Sequence, residues 1–123
     1  MVLSCIDPRF QHIIHNHLHK KKLTGKYSAF TIAGAAIGVT HNKFNQWHKT
    51  FYDNLATSIQ LHKIEKLIVI NHKDCGAAKI ANKEKKFNSS IENKIHGESF
   101  RNIKKILGKK HPKLEISFKI LSV

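Results

Sequence analysis

Apolar positions follow two alternating patterns along this chain, short unbroken runs and one-sided stripes, and the alternation predicts strands exchanged with helices. Met1-Val2-Leu3-Ser4 opens as a β-type run, giving a first strand from about Val2 to Cys5. Asp7-Pro8 then reads as a cap with proline at the first helical position. Phe10, Ile13, Ile14, His17 and Leu18 fall at i, i+3, i+4, i+7 and i+8, the stripe of a helix lying on a sheet and ending by Gly25. Tyr27 to Ile32 reads as a second strand, followed by the small-residue stretch Ala33-Gly34-Ala35-Ala36-Ile37-Gly38, where backbone can approach a neighbour closely.

The second half repeats the alternation. His41 to Lys49 reads as a polar connection holding Trp47, and Phe51, Leu55 and Ile59 mark the inner face of a helix running to about His62. Leu67 to Asn71 is a continuous apolar run, expected of a central parallel strand covered on both faces. A short helix opens at Gly76, with Asp74 as its expected cap, and Lys83 to Asn88 is a charged loop. Ser89-Ser90-Ile91-Glu92 fits a capping box, with Ser89 as cap and Glu92 three residues later. Ile91, Ile95, Ile103, Ile106 and Leu107 line the next helix, which Gly108 and Pro112 should stop. Leu114 to Leu121 is a last strand with Ile116, Phe118 and Ile120 pointing one way. The pattern predicts an α/β fold, a mainly parallel sheet of about four strands flanked by helices.

Composition narrows this picture. A chain of 123 residues suits one domain, residues 1–123, around one core. No run approaches the roughly 18 consecutive apolar residues of a membrane span, and the short apolar start lacks the basic flank and length of a secretory signal. A cytoplasmic protein with reduced thiols is expected, without a membrane partner. Charge is lopsided, with 22 Lys+Arg against 8 Asp+Glu and a net charge of +14. That balance raises a basic nucleic-acid-binding module as a reading of another class. The lysines, however, lack the interleaved aromatics of a base-stacking surface, so nucleic acid is not the expected partner.

Candidate chemistry concentrates where two strands hand over to helices. Cys5-Ile6-Asp7-Pro8-Arg9 follows the first strand and His72-Lys73-Asp74-Cys75-Gly76 follows the third, and together they use both cysteines. In open α/β sheets the functional crevice lies at the carboxyl ends of strands. If those strands are neighbours, Cys5, His72 and Cys75 converge as a two-thiolate, one-imidazole set suited to Zn²⁺. Taken singly, each could fill a core, and none of the ten histidines is singled out as a proton shuttle.

On those two motifs, and on Asp53 to Ile59 followed by Lys66 to Ile70, residues 1 to 82 resemble the β-class carbonic anhydrases. The resemblance implies zinc bound by Cys5, His72 and Cys75, with Asp7 and Arg9 as a catalytic dyad. It implies reversible hydration of carbon dioxide to bicarbonate and a proton, with zinc hydroxide as nucleophile, in a homodimer or larger assembly. Thr31-Ile32 stands where that family has Arg-Asn before Ala-Gly. A zinc-binding homologue with little anhydrase activity, or one acting on carbonyl sulfide or carbon disulfide, is the alternative.

Overall fold

A computed structural model of the protein describes residues 1–122. Its strands are β1 (Val2–Ser4), β2 (Ala29–Thr31), β3 (Lys66–His72) and β4 (Glu115–Leu121). They form one four-stranded sheet in the order β2-β1-β3-β4, and every pairing is parallel. The connections carry α1 (Gln11–Lys20), α2 (Ala36–Thr40), α3 (Asn45–His62), α4 (Gly76–Ala81) and α5 (Ser89–Lys110), with short 3-10 turns at Pro8–Phe10 and Asn42–Phe44. This is the α/β architecture that the alternation predicts.

Side-chain alternation across the sheet decides which helix covers which face. Leu3, Leu67 and Val69 pack with Phe51 and Leu55 of α3 and Ile103 and Leu107 of α5. Val2 and Ile70 point the other way, under Phe10 and under Ile14 and Leu18 of α1. Fully burying one such side chain contributes about 1.5–3 kcal/mol, so these clusters dominate the favourable side of folding. β3 sits between β1 and β4 and is covered on both faces, which is why Leu67 to Asn71 had to be apolar almost throughout.

The strand order also locates the crevice. From β1 the chain moves to β2 on one side and later returns to β3 on the other. The connections therefore diverge between β1 and β3, leaving a gap at the carboxyl ends of these two strands. Ser4 pairs with Ile70, so Cys5 and the Asn71-His72 pair leave the sheet at the same level.

Several boundaries depart from the sequence pattern. The second strand spans only Ala29–Thr31, because its one partner offers only Val2–Ser4 for pairing. The small-residue stretch forms α2, and the supposed polar connection is mostly helical, since Phe44 and Trp47 stack at 4.8 Å and join the apolar cluster around the cysteines. α5 is capped by Asn88, whose Oδ1 accepts from the Ile91 amide at 2.9 Å, in place of the expected Ser89. Gly108 does not end it, and it continues to Lys110. Its buried stripe reads Glu92, His96, Ser99, Ile103 and Leu107, while Ile91, Ile95 and Ile106 are only half-buried.

One glycine is required by the crevice itself. Gly34 has φ +80°, and a Cβ there would lie 2.7 Å from the Ala77 Cβ, so the loop after β2 approaches α4 more closely than any side chain allows.

Candidate metal centre

Cys5 leaves β1, His72 ends β3 and Cys75 immediately precedes α4. Their Sγ, imidazole nitrogen and Sγ atoms all lie within 4.8 Å of one another, and all three residues are buried. The sequence-predicted ligand trio is thus brought together. Both cysteines are free thiols.

The imidazole is oriented by its own neighbours in the fold. His72 Nδ1–H donates to the Lys73 carbonyl at 2.8 Å, and the ring stacks on Phe10 with centroids 4.0 Å apart. This leaves Nε2 as the acceptor nitrogen, buried and with no hydrogen-bond partner among the described residues. A buried polar atom without a partner costs about 1–3 kcal/mol, and a metal ion is the partner that this nitrogen and two sulfurs would share. The residues fit a zinc ion on that ground: a soft donor set, a fixed tautomer and an unsatisfied lone pair.

Electrostatics point the same way. The adjacent Cys75 thiol holds the Cys5 thiolate well below the ordinary thiol range, against burial, aided by the His72 ring and by the Gly34 amide, which donates to Cys5 Sγ at 3.3 Å. Cys75 is pushed up by the Cys5 sulfur and by burial. A cation held by both sulfurs would offset the charge that each imposes on the other. Burial opposes charge on His72, but the contact with Cys5, the Lys73 carbonyl and the Asp7 carboxylate outweigh it and raise its pKa.

Asp7 and Arg9 lie beside this trio. Asp7 Oδ1 accepts from the Arg9 amide at 2.9 Å, capping the 3-10 turn, and Asp7 Oδ2 accepts from Arg9 Nη2 at 2.8 Å. The Arg9 contacts lower the Asp7 pKa to about 2. Asp7 Oδ2 is 3.8 Å from His72 Nε2, so an anionic oxygen sits at the edge of the ligand set.

Asp74 departs from its expected role. It adopts φ +58° and does not cap α4; the capping position belongs to Cys75. Its carboxylate instead accepts from Arg9 Nη1 at 2.9 Å and pairs with Lys79 at 3.3 Å, while its carbonyl accepts from Arg9 Nη2 at 3.0 Å. The backbone turns at Asp74 so that the chain can bring His72 and Cys75 to one point, and that turn spoils the cap. Arg9 consequently ties the loop after β1 to the loop after β3.

Two supports are invisible in the motifs. Gln11 Nε2 donates to the carbonyls of Cys5 and Asp7 at 2.9 and 2.8 Å, fixing the loop between them. Glu92 accepts from the amides of Asp74 and Cys75. Nothing in the sequence marks Gln11. Glu92, His96 and Ser99 did carry a signal, polar residues at helical spacing within a face that also holds Ile103 and Leu107.

A family model described as "Putative carbonic anhydrase" matches residues 1–108. The chain belongs to that family. That match covers every residue of the trio, Asp7, Arg9 and most of α5. Similar proteins include an uncharacterized protein of Rickettsia bellii, 26% identical over 94% of this chain and 71% of its own length. Another is the uncharacterized protein RC0076 of Rickettsia conorii, 24% identical over 94% of this chain and 63% of its own length. The chain spans about two thirds of the length of these relatives.

Proposed function

We propose that this protein is a zinc-dependent carbonic anhydrase, catalysing the reversible hydration of carbon dioxide to bicarbonate and a proton. The observation that carries the reading is His72 Nε2, without a hydrogen-bond partner among the described residues, grouped with two cysteine sulfurs and flanked by a carboxylate that Arg9 holds. Cys5, His72 and Cys75 would hold the ion. Zinc with three protein ligands supplies a water acidified toward a pKa of about 7.

The chain's own residues do the rest. Asp7 stays ionised far below neutrality, so it can only accept hydrogen bonds, and a donor near it is oriented through its remaining lone pairs. Arg9 holds that carboxylate beside His72, by paired contacts that include Nε at 3.2 Å and Nη2 at 2.8 Å. Asp74 shares Arg9, and its contact with Lys79 adds a second cation. The proton released by hydration has no assigned shuttle.

Metal analysis comes first: about one zinc per chain, lost in Cys5→Ser, is expected, and a metal-free protein with two reactive thiols defeats the reading. Stopped-flow hydration on zinc-loaded protein follows, with Cys75→Ser and Asp7→Asn as controls. Zinc-loaded protein with no rate above buffer removes the anhydrase activity, and parallel assays with carbonyl sulfide and carbon disulfide then decide between a different substrate and a binding role.

A further inference from the structure

Glu92 is buried to 7% exposure, and among the described residues its one ionic-pair contact is His96 Nε2 at 3.0 Å. A buried carboxylate without compensation costs several kcal/mol, so its donors explain why it is tolerated. Oε1 accepts from the Asp74 amide at 3.1 Å, and Oε2 accepts from the Cys75 amide at 3.0 Å and from His96 Nε2–H. Those two amides belong to the tight turn that joins His72 to Cys75. Asp74 sits there at φ +58°, a left-handed conformation that aspartate adopts more readily than most side chains.

His96 is itself fixed from behind. Asn71 Nδ2 donates to His96 Nδ1 at 2.8 Å, which leaves the other ring nitrogen to donate to Glu92. The second Asn71 amide hydrogen reaches Ser99 Oγ at 3.3 Å, and that hydroxyl donates to the His96 carbonyl at 2.7 Å. Asn71 Oδ1 accepts from the Ala36 amide at 3.1 Å, two residues beyond the Gly34 amide that touches Cys5 Sγ. A continuous buried chain of hydrogen bonds therefore links the backbone of Cys75 to the loop against Cys5.

We infer that Glu92, aimed by His96 and Asn71, is a positioning residue that presets the separation of the cysteine ligands, so that the centre binds metal without reorganising. The inference rests on the reading of Cys5, His72 and Cys75 as zinc ligands. Glu92 is not itself a ligand, because both its oxygens face the two amides and His96. A merely structural Glu92 would change folding stability and leave the metal's affinity and ligand field alone. A positioning Glu92 changes both.

The test measures zinc affinity by chelator competition and the absorption spectrum of the cobalt-substituted protein, for the unsubstituted chain and for Glu92→Gln, with the melting temperature of each metal-free form. The glutamine keeps the shape but can offer only one accepting oxygen to three donors. Expected are a loss of zinc affinity of about 10- to 100-fold and shifted cobalt bands. Unchanged affinity and an unchanged spectrum overturn the inference, whatever the melting temperature does. Should Glu92→Gln fail to fold, His96→Gln takes its place, with weakened zinc binding expected and unchanged binding again overturning it. If the unsubstituted protein binds no zinc, the zinc reading falls and the inference with it; if it binds zinc and the variants match it, only the inference falls.

Discussion

Arg9 shows how much one side chain can organise. Its guanidinium makes contacts with Asp7, with the Asp74 carboxylate and with the Asp74 carbonyl, all within 3.3 Å. A lysine keeps the charge but not the planar fork, so it can serve one carboxylate and not both loops. Arg9→Lys is therefore expected to retain zinc and to lose about 100-fold or more in kcat/KM for hydration. Zinc content by elemental analysis and stopped-flow rates check the two halves separately; full activity in the variant would remove Arg9 from the proposed dyad. Tyr52 gives a titration outside the ligand set. Burial raises its pKa from 10.0 to about 12, and its hydroxyl donates to the Val39 carbonyl at 3.1 Å. The folded state thus favours the neutral phenol: the stabilisation is complete below pH 10 and is lost as pH rises through about 12. In Tyr27→Phe, the tyrosinate absorbance isolates Tyr52, and its midpoint should fall near 12 while circular dichroism reports an intact fold. A midpoint near 10 in folded protein would contradict the burial argument.

Elements were legible where one physical requirement ruled them. β3 announced itself because burial on both faces leaves no room for alternation, and the α1 stripe because one apolar face meets the sheet. α5 departs from its apolar pattern because its inner face is polar for its first two turns, where Glu92 and His96 serve the turn before Cys75. Its capping box looked sound for the same reason, since Glu92 stands three residues after Ser89 but is occupied elsewhere. The observed cap makes a clean prediction. Asn88→Ala should cost about 1 kcal/mol in a denaturation experiment. Ser89→Ala, by contrast, should stay within about 0.5 kcal/mol, and the opposite ranking would restore the capping box. The ligand trio was legible because both cysteines follow strand-like runs. The bridge from Arg9 to Asp74 was not, because it depends on a left-handed residue that no short pattern specifies.

At the scale of the whole molecule, the question is what covers the open side of the centre. Ile6, between Cys5 and Asp7, is 57% exposed, and Ile80, on the helix after Cys75, is 58% exposed. Among the described helices only α1 packs on the sheet face that carries Val2 and Ile70, so β4 remains largely half-buried. We propose that a second copy covers this side as a homodimer. The net charge of +14 on each copy opposes that union by long-range repulsion, which salt screens with a Debye length of about 10 Å at 0.1 M. Apolar burial at the interface is not weakened by salt, so association should tighten as ionic strength rises. Binding of so basic a chain to nucleic acid would run the other way, weakening steeply with salt through the counterions it releases. Sedimentation velocity across a salt series, with Ile80→Lys as the disrupted control, reads the sign directly. A monomer at every salt concentration removes the dimer, and nucleic-acid retardation that fades with salt would give the charge a purpose that self-association does not.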